Sequence, residues 1–202
     1  MGAVNVIRIQ GKKLKGFNTD VQGFSRFLEE AAIFSPNKAV VLGAGGAAKS
    51  VIYSLFKFGI GEIDFFSRSL EKMEIMIKKF ENYGNLRGHK WKLDDMESMV
   101  KHSDLVINAT PVGMFPFLKD SPLDIKHEAR NRAMAVDLIY NPNKTEFLRQ
   151  AQKKGYRIHN GLDMLIYQGI DALKIWLEHS FNEKAFILQS KKVLQKALRK
   201  QS

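Results

Sequence analysis

The chain has 202 residues, no cysteine, and a balance of 45% apolar to 26% charged residues. That is the profile of one or two globular domains, and it excludes disulfides, thiolate metal sites and a cysteine nucleophile. No apolar run is long enough for a transmembrane helix, no leader peptide is expected, and +9 of the net charge of +11 lies in residues 1–19 and 181–202 without aromatic platforms or zinc-finger spacing, so no nucleic-acid partner is expected.

Residues 4–9 are a short β-prone run, and Gly11 with the lysines after it forms a turn. Thr19 and Gln22 have capping-box spacing and open a helix that runs to about residue 32. Ser35-Pro36-Asn37 breaks the chain and marks a boundary. Residues 39–42, all apolar, have the character of a strand buried on both faces. A glycine-rich stretch leads into a helix with Val51, Leu55 and Phe58 at helical spacing. A strand at 63–66 precedes a helix over 70–80 that directs Met73, Ile77 and Phe80 inward. Strands at 104–108 and 133–137 follow, then helices at 146–154 and 162–177 with a short strand at 156–159 between them. A last helix over 182–200 aligns Phe186, Val193, Leu194, Ala197 and Leu198 in one stripe. Repeated β-α-β units predict an α/β fold, a doubly wound parallel sheet with helices on both faces.

The most informative segment is Leu42-Gly43-Ala44-Gly45-Gly46-Ala47-Ala48, directly after the buried strand and opening a helix. Gly43 permits a tight turn, Gly45 lets backbone approach a pyrophosphate, and Ala48 is small enough for close helix–strand packing. The first N–H groups of the helix then face the phosphates, with Ala44, Gly46 and Ala47 completing the loop. The same stretch through Lys49-Ser50 nearly matches a phosphate-binding P-loop, but Ala48 replaces the glycine that must wrap the β-phosphate. At the end of the second strand an acidic residue would select NAD and an arginine NADP. Here stand Ser67-Arg68-Ser69 with Lys72 one turn on, a guanidinium, hydroxyls and an ammonium where a 2′-phosphate would lie, so NADP is the expected cofactor. Tyr53/Lys57 and Tyr140/Lys144 imitate a catalytic Tyr-x-x-x-Lys pair, but the first lies beside the glycine loop and the second contains Pro142. The histidines show no metal-binding spacing, and no metal is expected.

Seven motifs in order make the chain resemble the shikimate dehydrogenases. They are Gly2-Ala3-Val4-Asn5; Gly16-Phe17-Asn18-Thr19-Asp20; the glycine loop; Ser67-Arg68-Ser69; Asn108-Ala109-Thr110-Pro111-Val112-Gly113-Met114; Asp137-Leu138-Ile139-Tyr140-Asn141-Pro142; and Asn160-Gly161-Leu162-Asp163-Met164-Leu165, with Gln168 shortly after. The resemblance implies a Rossmann-like sheet and NADPH-dependent reduction of 3-dehydroshikimate to shikimate, in a cytoplasmic monomer or homodimer. It implies that Asn5, Asp20 and Gln168 hydrogen-bond substrate hydroxyls with Tyr140 nearby, and that Arg68, Ser69 and Lys72 hold the 2′-phosphate. Thr110, Leu138 and Gly161 would approach the nicotinamide side. Asp20, in the first turn of a helix, is expected to stay ionised and to polarise a partner. In the family that partner is a lysine of an upstream lobe, which also carries serines for the substrate carboxylate. The 202 residues are expected to hold a remnant of that substrate domain at 1–35, the NADP-binding domain at 36–160, and helices at 161–202 returning toward the substrate domain. They depart from the pattern at Val6, in place of a threonine, and at Asp163, in place of a glycine, where a carboxylate would crowd the nicotinamide. A quinate/shikimate dehydrogenase preferring NAD and a non-catalytic dinucleotide-binding module are the alternatives.

Overall fold

The computed structural model describes residues 2–31, 36–177 and 181–199. The chain opens with an antiparallel hairpin, β1 (Val6–Gln10) and β2 (Lys13–Phe17), turned at Gly11. Gly11 and Lys12 form the turn as expected, while Lys13 and Lys15 belong to β2. Helix α1 (Asp20–Glu30) follows, then β3 (Lys38–Leu42), α2 (Gly46–Lys57), β4 (Glu62–Ser67), α3 (Leu70–Phe80), β5 (Asn85–Lys90), α4 (Leu93–Lys101) and β6 (Leu105–Asn108). The remainder is β7 (Met134–Asp137), α5 (Glu146–Lys153), β8 (Arg157–His159), α6 (Leu162–Leu177) and α7 (Glu183–Arg199). None of the helices among the described residues is long and apolar enough to cross a membrane.

The six strands β3 to β8 form one parallel sheet in the order β5-β4-β3-β6-β7-β8. This is the doubly wound Rossmann order, reversing between β3 and β6. Residues alternate between its faces: Ala39, Val41, Ile63, Phe65, Leu105 and Ile107 meet α2, α3 and α6, while Val40, Leu42, Phe66 and Val106 meet α4 and α5. Phe24, Phe27 and Leu28 of α1 join the first of these cores, fully or almost fully buried. Burying three such side chains contributes about 5–9 kcal/mol at most. Gly23 lets α1 come that close: a Cβ there would lie 2.9 Å from the Gln168 backbone nitrogen and the Met164 carbonyl.

Several details differ from the sequence reading. Thr19 makes no capping hydrogen bond; Asn18 Oδ1 accepts from the Val21 N–H at 3.2 Å instead, because the Thr19 hydroxyl is directed to Gln168. In α3 the inward residues are Met73, Met76 and Phe80, and Ile77 is exposed. β5 and α4 were not foreseen. The strand Asn85-Leu86-Arg87-Gly88-His89-Lys90 is polar because it forms the edge of the sheet, and α4 buries only Met96 and Val100. In α7 it is Ile187, Leu194 and Leu198 that pack on the core, while Phe186 and Val193 are exposed. Residue 32, Ser35 and Lys200, expected at the end of the first helix, the chain break and the end of the last helix, lie outside the described residues.

Candidate functional site

The strands end where their order reverses, and clefts open there. Gly43 turns the chain out of β3 with φ 116, and a Cβ on it would lie 2.9 Å from the Ala109 carbonyl. Both the left-handed backbone and the close approach to the end of β6 require glycine. Gly45 and Gly46 face open space. Helix α2 starts without a side-chain cap, so its first-turn N–H groups remain for an anion. The P-loop alternative fails on Ser50, which is fully buried and donates to Asn18 Oδ1 and the Gly46 carbonyl; a metal-binding hydroxyl would have to face the phosphates.

The first cavity, ≈ 350 Å³, runs from Gly43, Ala44 and Gly45 past Ser67, Arg68, Ser69 and Lys72 to Thr110. Ser69 caps α3 by accepting from the Lys72 N–H, and Ser67 Oγ accepts from the Ser69 N–H at 3.1 Å, which sets the loop that carries Arg68. Among the described residues no carboxylate lines this cavity. The nearest candidate on β4, Asp64, is spent within the sheet: Lys38, Arg87 and His89 contact it at 3.1, 2.9 and 2.8 Å. Burial raises its pKa, but those partners outweigh burial and hold it below the usual value. Gly46 lines a smaller neighbouring cavity with Lys49 and Lys72.

The second cavity, ≈ 310 Å³, gathers Asn5, Asp20, Tyr140 and Gln168 with Leu138, Gly161 and Ala47. Asn5 Nδ2 donates to Asp20 Oδ1 at 2.8 Å and to Thr19 Oγ1 at 3.0 Å. The Thr19 hydroxyl donates to Gln168 Oε1 at 3.2 Å, and Gln168 Nε2 donates to the Leu165 carbonyl. Residues from the loops before β1 and α1 and from the middle of α6 thus form one hydrogen-bonded set. Burial raises the pKa of half-buried Asp20 while the Asn5 hydrogen bond lowers it, and burial wins; the helix terminus alone had suggested a readily ionised group. A third cavity, lined by Ala47, Thr110, Leu138, Tyr140, Met114 and Phe115, adjoins both others. The three form one groove from Arg68 to Asp20.

Leu138 and Gly161 are in contact with each other: a Cβ on Gly161 would lie 1.9 Å from the Leu138 carbonyl oxygen. Asp163, expected to crowd the groove, instead pairs with Lys191 of α7 at 2.8 Å, because the helical turn places it on the face of α6 that meets α7. In the Tyr140/Lys144 pair only Tyr140 lines the groove; Lys144 donates to Gln152. The sequence reading named Thr19 only as a cap within its motif, and it missed Trp91 and Phe115, aromatic residues that stand just beyond a strand and just beyond a motif.

Beneath the groove, Asp137 at the end of β7 accepts from Thr145 Oγ1 at 2.6 Å, Ile139 N–H at 3.0 Å and Asn108 Nδ2 at 3.0 Å. Asn108 Oδ1 in turn accepts from the Thr110 N–H and hydroxyl, so this cluster positions Thr110. Burial pushes the Asp137 carboxyl up to about 6 despite its three donors. An unfolded aspartate titrates near about 3.9. Between those values the folded chain holds the extra proton, so stability from this group falls as pH rises from about 4 to about 6, then levels. The expected loss is about 2–3 kcal/mol. Denaturant melts across that range, compared between the wild type and Asp137→Asn, check it: the fall attributable to Asp137 is absent in the variant, and parallel curves would refute it.

Residues 28–154 match the family model described as Shikimate / quinate 5-dehydrogenase. A shikimate dehydrogenase (NADP(+)) of Caldicellulosiruptor saccharolyticus is 38% identical over 198 residues, covering 97% of this chain and 70% of the relative. The chain spans only 60–63% of several other curated relatives. Among solved structures, shikimate 5-dehydrogenase of Thermus thermophilus, in complex with NADP(H) and shikimate, superposes with a TM-score of 0.76 at 31% identity, covering 95% of this chain and 68% of the other. Quinate dehydrogenase of Corynebacterium glutamicum, in complex with NAD, superposes at 0.81 and 26% identity, with coverages of 95% and 68%. With the Rossmann order, the glycine turn and the Asn5–Thr19–Asp20–Gln168 set already in place, these matches settle the lineage: the chain belongs to the shikimate/quinate 5-dehydrogenase family.

Proposed function

We propose that this chain binds NADPH along the groove and serves the reversible reduction of 3-dehydroshikimate to shikimate. The observation that carries the reading is the continuity of the groove. A cavity that bears Arg68 and Lys72, with no carboxylate among its described lining residues, opens into one that presents Asn5, Asp20, Tyr140 and Gln168. The residues fit a dinucleotide: Gly45 and Gly46 leave backbone open, and the uncapped start of α2 faces the same space. When bound, the cofactor supplies a hydride to a carbonyl carbon. The α2 N-terminus and the glycine loop hold the pyrophosphate, and Arg68, Ser69 and Lys72 hold the 2′-phosphate. Thr110, Leu138 and Gly161, which line the adjoining cavities with Tyr140, would hold the nicotinamide end. Asn5 and Gln168 orient substrate hydroxyls, and Asp20, its carboxylate fixed by Asn5, accepts a hydrogen bond from the group that protonates the nascent alkoxide. The names of the curated relatives support NADP, and the NAD-bound quinate dehydrogenase makes quinate with NAD the competing reading.

The test is residual oxidation of NADPH by 3-dehydroshikimate, set beside NADH with 3-dehydroquinate. Faster turnover of the second pair would overturn the proposal in favour of the quinate reading. No calorimetric binding of either nucleotide would overturn it outright. Arg68 decides the cofactor, because no carboxylate stands beside it among the described residues that line this cavity. Arg68→Ala is expected to weaken NADP binding by about 1.5–3 kcal/mol, the range of charged hydrogen bonds, and to leave NAD binding unchanged. Equal losses for both, by calorimetry, would refute that role.

A further inference from the structure

Trp91 stands just beyond β5, on the edge strand of the sheet, and its side chain lines the first cavity with Arg68, Lys72, Thr110 and Pro111. It is half-buried and packs on the core that holds Phe66 and Met96. Its indole N–H makes no hydrogen bond to the described residues, and its ring pairs with no other aromatic among them. The strand order separates the two ends of the groove. β5 and β4 lie on one side of the switch point, and β7, which leads to Tyr140, lies on the other. Whatever Trp91 contacts is therefore at the end of the ligand remote from Tyr140, beside the groups placed to hold a 2′-phosphate. An adenosine 2′-phosphate presents there one flat aromatic group, its purine.

We infer that Trp91 is a nucleotide-binding residue whose indole face stacks on the purine of the cofactor, so that this chain recognises the base by stacking. The inference rests on the dinucleotide reading above. Stacking is blind to the 2′-phosphate and to the nicotinamide, so Trp91 contributes equally to NADP, to NAD and to adenosine 2′,5′-bisphosphate, whereas Arg68 distinguishes between the first two. It is also tolerant of the base, since every base offers a π-face.

The chain has two tryptophans, and the other, Trp176, donates to the Ile7 carbonyl outside the groove. Fluorescence therefore isolates Trp91 in the Trp176→Phe protein. Adenosine 2′,5′-bisphosphate, which has no nicotinamide to accept energy, is expected to quench that emission, and the quench is expected to vanish in Trp91→Phe. By calorimetry, Trp91→Ala is expected to weaken all three ligands about 5- to 150-fold and alike, the range for loss of one base–aromatic stack. Trp91→Phe is expected to keep most of the affinity, since it keeps a ring. Unchanged affinity in Trp91→Ala, or unmoved Trp91 emission on saturation, overturns the inference while leaving the dinucleotide reading intact. Should Trp91→Ala not fold, quenching in Trp176→Phe and the affinities of Trp91→Phe decide alone. No binding of any of the three to the wild type overturns both.

Discussion

Given NADPH and 3-dehydroshikimate, the 202-residue polypeptide is expected to bind the cofactor but to turn over about 10²–10⁴-fold more slowly than its longer relatives, the usual contribution of one positioned proton donor. Among the described residues no lysine lines the cavity around Asp20. Asp20 itself is held by Asn5, so its carboxylate is arranged to orient a donor rather than to replace one. Lys15, close in sequence, lies over the Phe17 ring at 5.2 Å and does not line the groove. Any looseness in seating the substrate carboxylate adds to the deficit, since small displacements alone cost about a hundredfold. Calorimetry with NADPH beside a steady-state assay on this polypeptide makes the comparison. A rate equal to that of a longer relative would show that a group of this chain donates the proton. Tyr140, which borders the groove, is then the residue to test by Tyr140→Phe.

Gly161→Ala is expected to damage both stability and the site. The added Cβ falls 1.9 Å from the Leu138 carbonyl oxygen and 2.5 Å from its carbon. Both are backbone atoms, with no flexible side chain to yield, so the loop after β7 must part from the start of α6. Overpacking of this kind costs about 1–3 kcal/mol and more when backbone must move. A loss of about 3 kcal/mol lowers Tm by about 6–12 °C in a chain of this size. Helix α6 carries Gln168 and the loop carries Leu138 and Tyr140, so their displacement is expected to lower turnover about a hundredfold. Thermal melts and the same assay check it. A Tm within a degree or so of the wild type would mean that the two segments separate freely and that their contact does not position the groove.

Strands buried on both faces and the glycine turn were legible because their physics is local. The run 39–42 is apolar throughout, and Gly43 sits where a left-handed turn must follow. Long amphipathic helices were legible for the same reason: α3 and α6 have the predicted bounds. β5 escaped because an edge strand needs only one neighbour and can be almost wholly polar, and the cap of α1 escaped because Thr19 had a tertiary partner to satisfy. The motifs name Asn5, Asp20 and Gln168 separately, and Arg68 and Lys72 by their spacing.

The chain by itself determined the class of fold, the position of the glycine loop and the residue types at the ends of the strands, because periodicity and backbone conformation act over a few residues. Tertiary structure alone decided which groups share a space. Asn5 and Gln168, 163 positions apart, come within 3.4 Å because Gly23 lets α1 lie directly on α6. Asp163 leaves the groove because α7 offers Lys191 on its other side. Trp91 joins Arg68 because two parallel strands end side by side. Each outcome depends on packing between elements distant in sequence, where burial and pairing outweigh any local preference.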